Sequence, residues 1–249
     1  MKNLISISGK IGSGKDTVGT IIQYLTSNQQ NNSFEEVINN NIKINTSIWE
    51  IKKMAGKLKQ VASILTNIPV ENFENQEFKK MQMHSCWGMT YREFLQKIGT
   101  DAMRNGLHED TWLNAFWVDY RPPMDVTYVV NDYSKYPKWI ITDVRFENEY
   151  NSVRERGGLM IKVTRSLAVC GTCYKTGTAN ELDILSQSGR FVNGHCKVGD
   201  IIPNDQLPSH ASETGLDHIT DWDWVIHNDG TIEDLIEMVQ EMLIKENII

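Results

Sequence analysis

The glycines and the lysine near the start of the chain have the spacing of a phosphate-binding loop. Gly9 and Gly14 are separated by four residues, and Lys15 follows directly. Glycine lets successive backbone N–H groups turn toward phosphate oxygens, and a lysine at this position reaches the terminal phosphates of a nucleotide. The next residue is Asp16, where the motif usually has serine or threonine, and Thr17 comes after it. The carboxylate of the one or the hydroxyl of the other is therefore a candidate Mg2+ ligand.

Charged residues that follow apolar segments further along the chain are candidates for the same chemistry. The segment KWIITD ends at Asp143, and Arg145 lies two residues later. Arg165 closes another apolar segment, at residues 159–163. A guanidinium group grips a phosphate through two parallel hydrogen bonds, so both arginines suit phosphate binding. An ion pair that only fixes a strand end is the alternative for Asp143 and Arg145.

Short apolar segments alternate with helical patterns and place these residues at strand ends. Five core strands are predicted, near residues 4–8, 43–48, 139–143, 159–164 and 223–227. Helical spacing predicts helices after Lys15, over residues 50–64 and 91–104, and at the end of the chain. Such alternation favours an α/β fold in three layers, with a mostly parallel sheet and ligands at the carboxyl ends of its strands. We expect residues 1–249 to form a single domain.

The charge balance limits the partners that this chain can bind. The formal net charge is -7, which argues against nucleic acid as the main partner because phosphate backbones require a basic surface. Residues 1–3 lead straight into the first predicted strand, and no apolar run has the length of a membrane span. We therefore expect no signal peptide and no membrane partner, a cytoplasmic location, and four reduced cysteines.

The order of these motifs resembles the phage-type deoxynucleoside monophosphate kinases, within the P-loop nucleoside monophosphate kinase superfamily. The stretches that carry the resemblance span nearly the whole chain except residues 166–208; they are SGKIGSGKDT, AGKLK, YREFLQKIGTD, ITDVRFENE, SHASETGL and VIHNDGTIEDL. The resemblance implies a P-loop kinase domain that uses ATP and Mg2+ to phosphorylate deoxynucleoside 5'-monophosphates.

The resemblance also implies roles for individual residues. The implied catalytic residues are Lys15, Asp16, Asp143 and Arg145, and Asp16 and Thr17 are the implied Mg2+ ligands. The implied ATP-binding residues are Gly12, Ser13, Gly14, Lys15, Asp16, Thr17, Arg165, Asn228 and Gly230. The implied residues for the acceptor nucleotide are Leu58, Lys59, Arg92, Arg104, Asn105, Trp112, Asp143 and Glu149. Trp112 either stacks on the base of the acceptor or belongs to the core between helices. Asn228–Thr231 resembles the loop that holds the adenine of ATP; the alternative is a turn that caps the last helix, and the two roles are compatible.

A cysteine-containing segment interrupts the resemblance at residues 166–209. Cys170 and Cys173 form a C-x-x-C knuckle, and His195 and Cys196 follow about 20 residues later. This spacing fits a zinc ribbon in which His195 or His210 is the fourth ligand. The resemblance implies that this segment, which precedes the last strand, is the mobile lid of a nucleoside monophosphate kinase. A loose insertion with free thiols is the alternative.

Two other kinds of function remain open on the sequence alone. One is a P-loop kinase for a different phosphorylated acceptor, of the dephospho-coenzyme A or phosphomevalonate type. The other is a non-catalytic nucleotide-binding module. The bases accepted and the oligomeric state are also left open, with a homodimer as one alternative.

Overall fold

The chain divides into two compact units in the computed structural model. The structure describes residues 2–10, 12–27, 33–39, 44, 47–122, 135–169, 176–177, 201–203 and 214–249. The first unit, here called the sheet unit, comprises Met1–Ile51 and Lys138–Ile249. The second, here called the helical unit, comprises Lys52–Pro137.

The described residues form eight strands and eight α-helices, which are divided between the two units. The strands are β1 (Leu4–Ser8), β2 (Trp49–Lys52), β3 (Lys138–Ile141), β4 (Leu159–Thr164), β5 (Ser166–Val169), β6 (Thr176–Gly177), β7 (Ile201–Pro203) and β8 (Trp224–His227). The α-helices are α1 (Lys15–Leu25), α2 (Phe34–Asn39), α3 (Gly56–Thr66), α4 (Gln76–Lys80), α5 (Tyr91–Gln96), α6 (Thr111–Trp117), α7 (Glu147–Arg154) and α8 (Ile232–Lys245). No helix in these described ranges is long and apolar enough to cross a bilayer.

Five strands form the main sheet, in the order β2-β3-β1-β4-β8. β1 pairs in parallel with β3 and β4, and β4 pairs in parallel with β8. All five residues of β1 are buried, as expected for the central strand of a parallel sheet with both faces covered. The predicted α/β fold with a five-stranded, mostly parallel sheet is confirmed. A second, antiparallel sheet has the order β6-β5-β7.

The core of the sheet unit forms where helices cover the central strands. The apolar face of α1 contributes Val18, Ile21 and Ile22, which are fully buried. α8 begins at a capping box in which Thr231 Oγ1 accepts a hydrogen bond from Asp234 N, and Asp234 Oδ2 accepts one from Thr231 N. The predicted capping turn before the last helix is therefore confirmed.

The second strand begins later than predicted. The predicted strand at 43–48 is wrong at its described end, because Ser47 and Ile48 precede β2. The predicted helix start at residue 50 is also wrong, since α3 begins at Gly56. Ile51 and Met54 fit helical spacing as well as they fit a strand and the turn after it, and sheet pairing decides between the two.

The helical unit has its own apolar core around Ala62, Phe73, Met83 and Phe94. The predicted helix over 91–104 is present, but only Tyr91–Gln96 is α-helical, and Lys97–Asn105 continues it as a π-helix. A capping box between Thr90 and Glu93 fixes its start.

Candidate functional site

The carboxyl ends of four adjacent strands meet at one edge of the main sheet. β3, β1, β4 and β8 are neighbours and parallel, so the residues that follow them lie along the same edge. The loop Gly9–Gly14 follows β1, Asp143 follows β3, Arg165 follows β4 and Asn228 follows β8. The fold therefore brings together the predicted phosphate loop and the predicted polar residues of the sheet unit.

The loop after β1 has a backbone that only glycine adopts easily. Gly12 has φ 79° and Gly14 has φ 94°, both in the left-handed region. Ser13 N donates to Lys10 O at 3.1 Å, which closes a turn inside the loop. Val18 N then donates to Gly14 O at 2.9 Å, so α1 starts immediately. The first N–H groups of this helix lack intrahelical acceptors and form a potential anion site.

Two buried polar side chains in the loop suit this use. Lys15, the first residue of α1, is only 8% exposed. Ser13 is fully buried, and its Oγ has no hydrogen-bond partner among the described residues. An unpartnered hydroxyl is costly in an apolar environment, and a phosphate oxygen would compensate that cost. The loop residues present therefore fit a bound nucleotide phosphate.

Asp16 is held in place by a residue that the sequence reasoning missed. Thr142 Oγ1 donates to Asp16 Oδ1 at 2.9 Å. Thr142 is fully buried at the end of β3, whereas Asp16 is exposed and Thr17 is half-buried. An exposed carboxylate oriented by a buried donor is a hard oxygen ligand that fits Mg2+. Thr142 stands 126 residues from Asp16 in the chain, and no local pattern signals their contact.

A second lysine of the loop forms an ion pair. Lys10 Nζ lies 3.3 Å from Asp217 Oδ2, and the Lys10 side chain is 8% exposed. Asp217 follows the segment SHASETGL, which the resemblance singled out without assigning it a role. The pair fixes the start of the loop to Asp217, within the sheet unit.

Glu149 makes structural contacts that differ from its predicted role. Its Oε2 accepts hydrogen bonds from Arg145 N at 2.8 Å and from Phe146 N at 3.2 Å. The residue is 5% exposed, on the first turn of α7. Carboxylates stabilise helix N-termini by accepting from otherwise unpaired N–H groups. The side chain thus holds the segment that carries Asp143 and Arg145, both of which are half-buried.

Asn228 joins three elements at the sheet edge. Its backbone N donates to Thr164 O at 2.8 Å, and its Nδ2 donates to Ser13 O at 2.9 Å. The neighbouring Asp229 accepts through Oδ1 from Ser166 N at 2.5 Å. Asn228 therefore connects the ends of β4 and β8 to the phosphate loop, while Gly230 is exposed in the following turn.

Arg165 lies half-buried at the end of β4, beside these contacts. No ion pair involving Arg165 is formed with any residue in the described part of the chain. Arg165 lies at the predicted edge of the sheet, because β4 and β1 are parallel neighbours and the loop follows β1 at that same edge. Its assignment to the nucleotide stays a prediction.

Two of the predicted acceptor residues pack inside the helical unit. Trp112 is 7% exposed, and its Nε1 donates to Gly99 O at 2.9 Å. Leu58 contacts the same glycine from α3, because a Cβ at Gly99 would lie 3.1 Å from Leu58 Cδ2. The burial of Trp112 favours the alternative in which the indole is part of the helix core.

Lys59 is restrained by an acidic partner. Its Nζ lies 2.6 Å from Glu74 Oε1, and Lys53 Nζ lies 3.5 Å from Glu74 Oε2. Partial burial raises the pKa of Glu74, but the hydrogen bond and charge of Lys59 and the charge of Lys53 outweigh it. The net effect holds the pKa of Glu74 below its ordinary value.

The remaining predicted acceptor residues lie on α5 and on the π-helix of the helical unit. Arg92 is exposed on α5, Arg104 is half-buried and Asn105 exposed at the end of the π-helix. The predicted zinc ligands Cys170, Cys173, His195, Cys196 and the alternative His210 lie outside the described residues. Among the residues that the structure does describe, no group of three histidine, cysteine or acidic side chains could hold a metal ion.

Comparisons with known proteins point to one family. Residues 28–172 match the family model of deoxynucleotide monophosphate kinase. A protein of Acanthamoeba polyphaga mimivirus, provisionally named deoxynucleotide monophosphate kinase, is 32% identical over 122 residues, which cover 46% of this chain and 60% of that protein. The deoxynucleotide monophosphate kinase of Escherichia phage RB69 is 26% identical over 161 residues, covering 65% and 47% of the two chains. That of Enterobacteria phage T4 is 25% identical over 152 residues, covering 61% and 44%. The chain thus spans about half the length of these curated relatives.

Proposed function

Because the chain belongs to the deoxynucleotide monophosphate kinase family, we propose that it transfers the γ-phosphoryl group of ATP to deoxynucleoside 5'-monophosphates. The products are ADP and the deoxynucleoside diphosphate. The bond between the γ-phosphorus and the β–γ bridging oxygen breaks, and a phosphate oxygen of the acceptor forms the new bond.

The observation that carries this proposal is the loop between β1 and α1. It combines left-handed glycines, an unpartnered buried hydroxyl on Ser13 and the buried Lys15 at a helix N-terminus. Each feature favours the phosphates of a nucleotide, and together they supply N–H donors and positive charge at the start of α1. Phosphoryl transfer depends mainly on positioning and on neutralising developing charge, which are the two things this loop provides.

The residues at the sheet edge have distinct roles in the proposed reaction. Lys15 neutralises the charge that develops on the β- and γ-phosphates during transfer. Asp16, oriented by Thr142, and Thr17 hold Mg2+, which supplies charge neutralisation at the phosphate oxygens when bound. Arg165 and the turn Asn228–Gly230 belong to the ATP side of the site.

The acceptor side is proposed from the resemblance and from family membership. Arg145 binds the phosphate of the acceptor through its planar guanidinium group, with Asp143 near the metal or the acceptor. The backbone of Arg145 is fixed by Glu149, which supports a preorganised phosphate contact. For the acceptor nucleotide the resemblance also implies Leu58, Lys59, Arg92, Arg104 and Asn105 of the helical unit, whereas the burial of Trp112 favours a core role for its indole.

A coupled assay of ADP release across a panel of monophosphates tests the activity. We expect turnover with at least one deoxynucleoside monophosphate, and loss of turnover in Lys15→Ala, a variant whose thermal unfolding should match the wild type. Turnover only with dephospho-coenzyme A or phosphomevalonate would replace the proposed acceptor. ATP binding without turnover on any acceptor would instead favour a non-catalytic module.

We also propose that residues 166–209 form a lid held by one zinc ion, through Cys170, Cys173, Cys196 and either His195 or His210. The support is the ligand spacing and the small antiparallel sheet. Cys170 and Cys173 lie in the connection from β5 to β6, and His195 and Cys196 lie shortly before β7. Elemental analysis of protein purified without chelator tests whether zinc is bound, and a protein free of zinc would refute the proposed zinc site. Limited proteolysis with and without a bisubstrate analogue tests closure, since a lid should be cut more slowly in the complex.

A further inference from the structure

We propose that Asn228 is a positioning residue for phosphate binding, which locks the peptide between Ser13 and Gly14 so that an N–H group faces the phosphates. The inference rests on the proposed function, because it assigns a role at the same ATP site. It differs from the adenine contact that the sequence resemblance implies for the 228–231 turn, since the side chain acts on the loop and not on the base.

The Asn228 side chain is committed to the loop. The residue is 8% exposed, and its Nδ2 donates to Ser13 O at 2.9 Å in a buried setting. Its backbone N donates to Thr164 O at 2.8 Å, which anchors the residue to the end of β4. The amide also packs directly against Gly14, where an added Cβ would overlap Nδ2. Asn228 is thus held rigidly by the sheet and transmits that rigidity to the loop.

The orientation of one carbonyl fixes the orientation of the next N–H. The peptide group is planar, and in its trans form the C=O and the following N–H point in opposite directions. Because Ser13 O is directed at Asn228, the Gly14 N–H points away from Asn228. No acceptor for this N–H occurs within the described part of the chain. A phosphate oxygen is the acceptor that such a loop is built to receive.

This peptide needs a lock because glycine follows it. Rotation of the peptide plane changes ψ of Ser13 and φ of Gly14, and glycine adopts positive and negative φ with similar ease. Gly14 has φ 94°, so a rotated peptide would meet little steric resistance from this residue. The rotated peptide would present the Ser13 carbonyl oxygen to the phosphates and repel them. The hydrogen bond from Asn228 Nδ2 opposes that rotation.

Binding measurements with fragments of ATP distinguish a loop contact from a base contact. Asn228→Ala and the isosteric Asn228→Asp are compared with the wild type by calorimetry, using ATP, inorganic triphosphate and adenosine as separate probes. If Asn228 locks the loop, Asn228→Ala binds ATP and triphosphate more weakly by a common factor of roughly ten, as expected for one lost hydrogen bond. Asn228→Asp should lose at least as much affinity for both, because its carboxylate also repels Ser13 O and the phosphates. Adenosine affinity should stay unchanged. In steady state, KM for ATP should rise by the same factor while KM for the acceptor does not.

Thr164→Val is the matched control at the same strand end. It removes the contact between Thr164 Oγ1 and His227 Nδ1, at 2.9 Å, without touching the bond to Ser13. All three affinities should match the wild type in this variant. Thermal unfolding of each protein shows that the fold is retained, and Asn228→Asp keeps the side-chain volume if Asn228→Ala does not fold.

Two results would overturn the lock. Weaker binding of ATP and adenosine with unchanged triphosphate affinity would make Asn228 a base contact. Unchanged affinity for all probes in both variants would show that the loop holds its conformation without the bond. No acceptor is present in these titrations, so a failure of wild-type protein to phosphorylate deoxynucleoside monophosphates would refute the proposed function and leave this test intact.

Discussion

Replacing Glu149 separates the structural role seen here from the acceptor role that the resemblance implies. Its Oε2 accepts from Arg145 N and Phe146 N, and the residue is 5% exposed. Glu149→Ala leaves two backbone donors without this acceptor at the start of α7. A buried donor that loses its partner costs about 1–3 kcal/mol, and bonds to a charged group are at the upper end, so we expect a loss of about 3 kcal/mol in unfolding free energy. Glu149→Gln retains an acceptor without the charge, and its loss should be about 1 kcal/mol.

The assay is urea unfolding followed by circular dichroism, with Glu147→Ala as the control variant. Glu147 lies on the same first turn of α7, but its side chain is 61% exposed. The control should therefore unfold within about 0.5 kcal/mol of the wild type. The acceptor KM is measured in parallel for each protein. If Glu149→Ala unfolds like the control while the acceptor KM rises strongly, the structural argument is wrong and the carboxylate contacts the acceptor.

Three further predictions concern single contacts. Because the pKa of Glu74 is lowered in the folded state, its pairing with Lys59 contributes about 0.5 kcal/mol above the ordinary pKa of 4.5. That contribution disappears as the pH falls through the lowered value, so urea midpoints of wild type and Glu74→Gln should converge on acidification, and a constant gap would contradict this. Ser6 Oγ is buried without a hydrogen-bond partner among the described residues, so Ser6→Ala should keep or raise the melting temperature; a clear drop would reveal an unseen partner. Thr142→Val removes the donor to Asp16 and should raise the Mg2+ concentration needed for half-maximal activity by severalfold, whereas an identical Mg2+ titration would exclude the proposed metal role.

The elements around the phosphate loop could be predicted because their signals are local. Glycine spacing, the short apolar run before Gly9 and the helical spacing after Lys15 lie within about 20 residues of one another. The predicted strands at 159–164 and 223–227 also agree closely with β4 and β8, because each is a short apolar run bounded by polar turns.

The contacts that position the site could not be predicted, because their partners are distant in sequence. Asn228 Nδ2 and Ser13 O are separated by 215 residues, and Thr142 and Asp16 by 126. Residue type alone also left Glu149 ambiguous, since a carboxylate suits both a ligand and a helix N-terminus. The start of β2 was missed for a related reason. The apolar residues near 50 fit a strand and a helix equally well, and pairing with a distant strand decides between the two.

The position of β1 at the centre of the sheet has a consequence for synthesis on the ribosome. Leu4 pairs with Trp139 in β3, and Ile5 pairs with Leu159 in β4. Both sheet neighbours of β1 are therefore synthesised long after β1 itself. At about 5–20 residues per second, Trp139 is added roughly 7–27 s after Leu4. During that interval an apolar strand of the nascent chain has no sheet partner, while the helical unit is completed from its own contiguous residues. The loop after β1 therefore acquires its shape only at a late stage of translation, and slower elongation through residues 52–137 would prolong the exposure of β1 to aggregation or to chaperones.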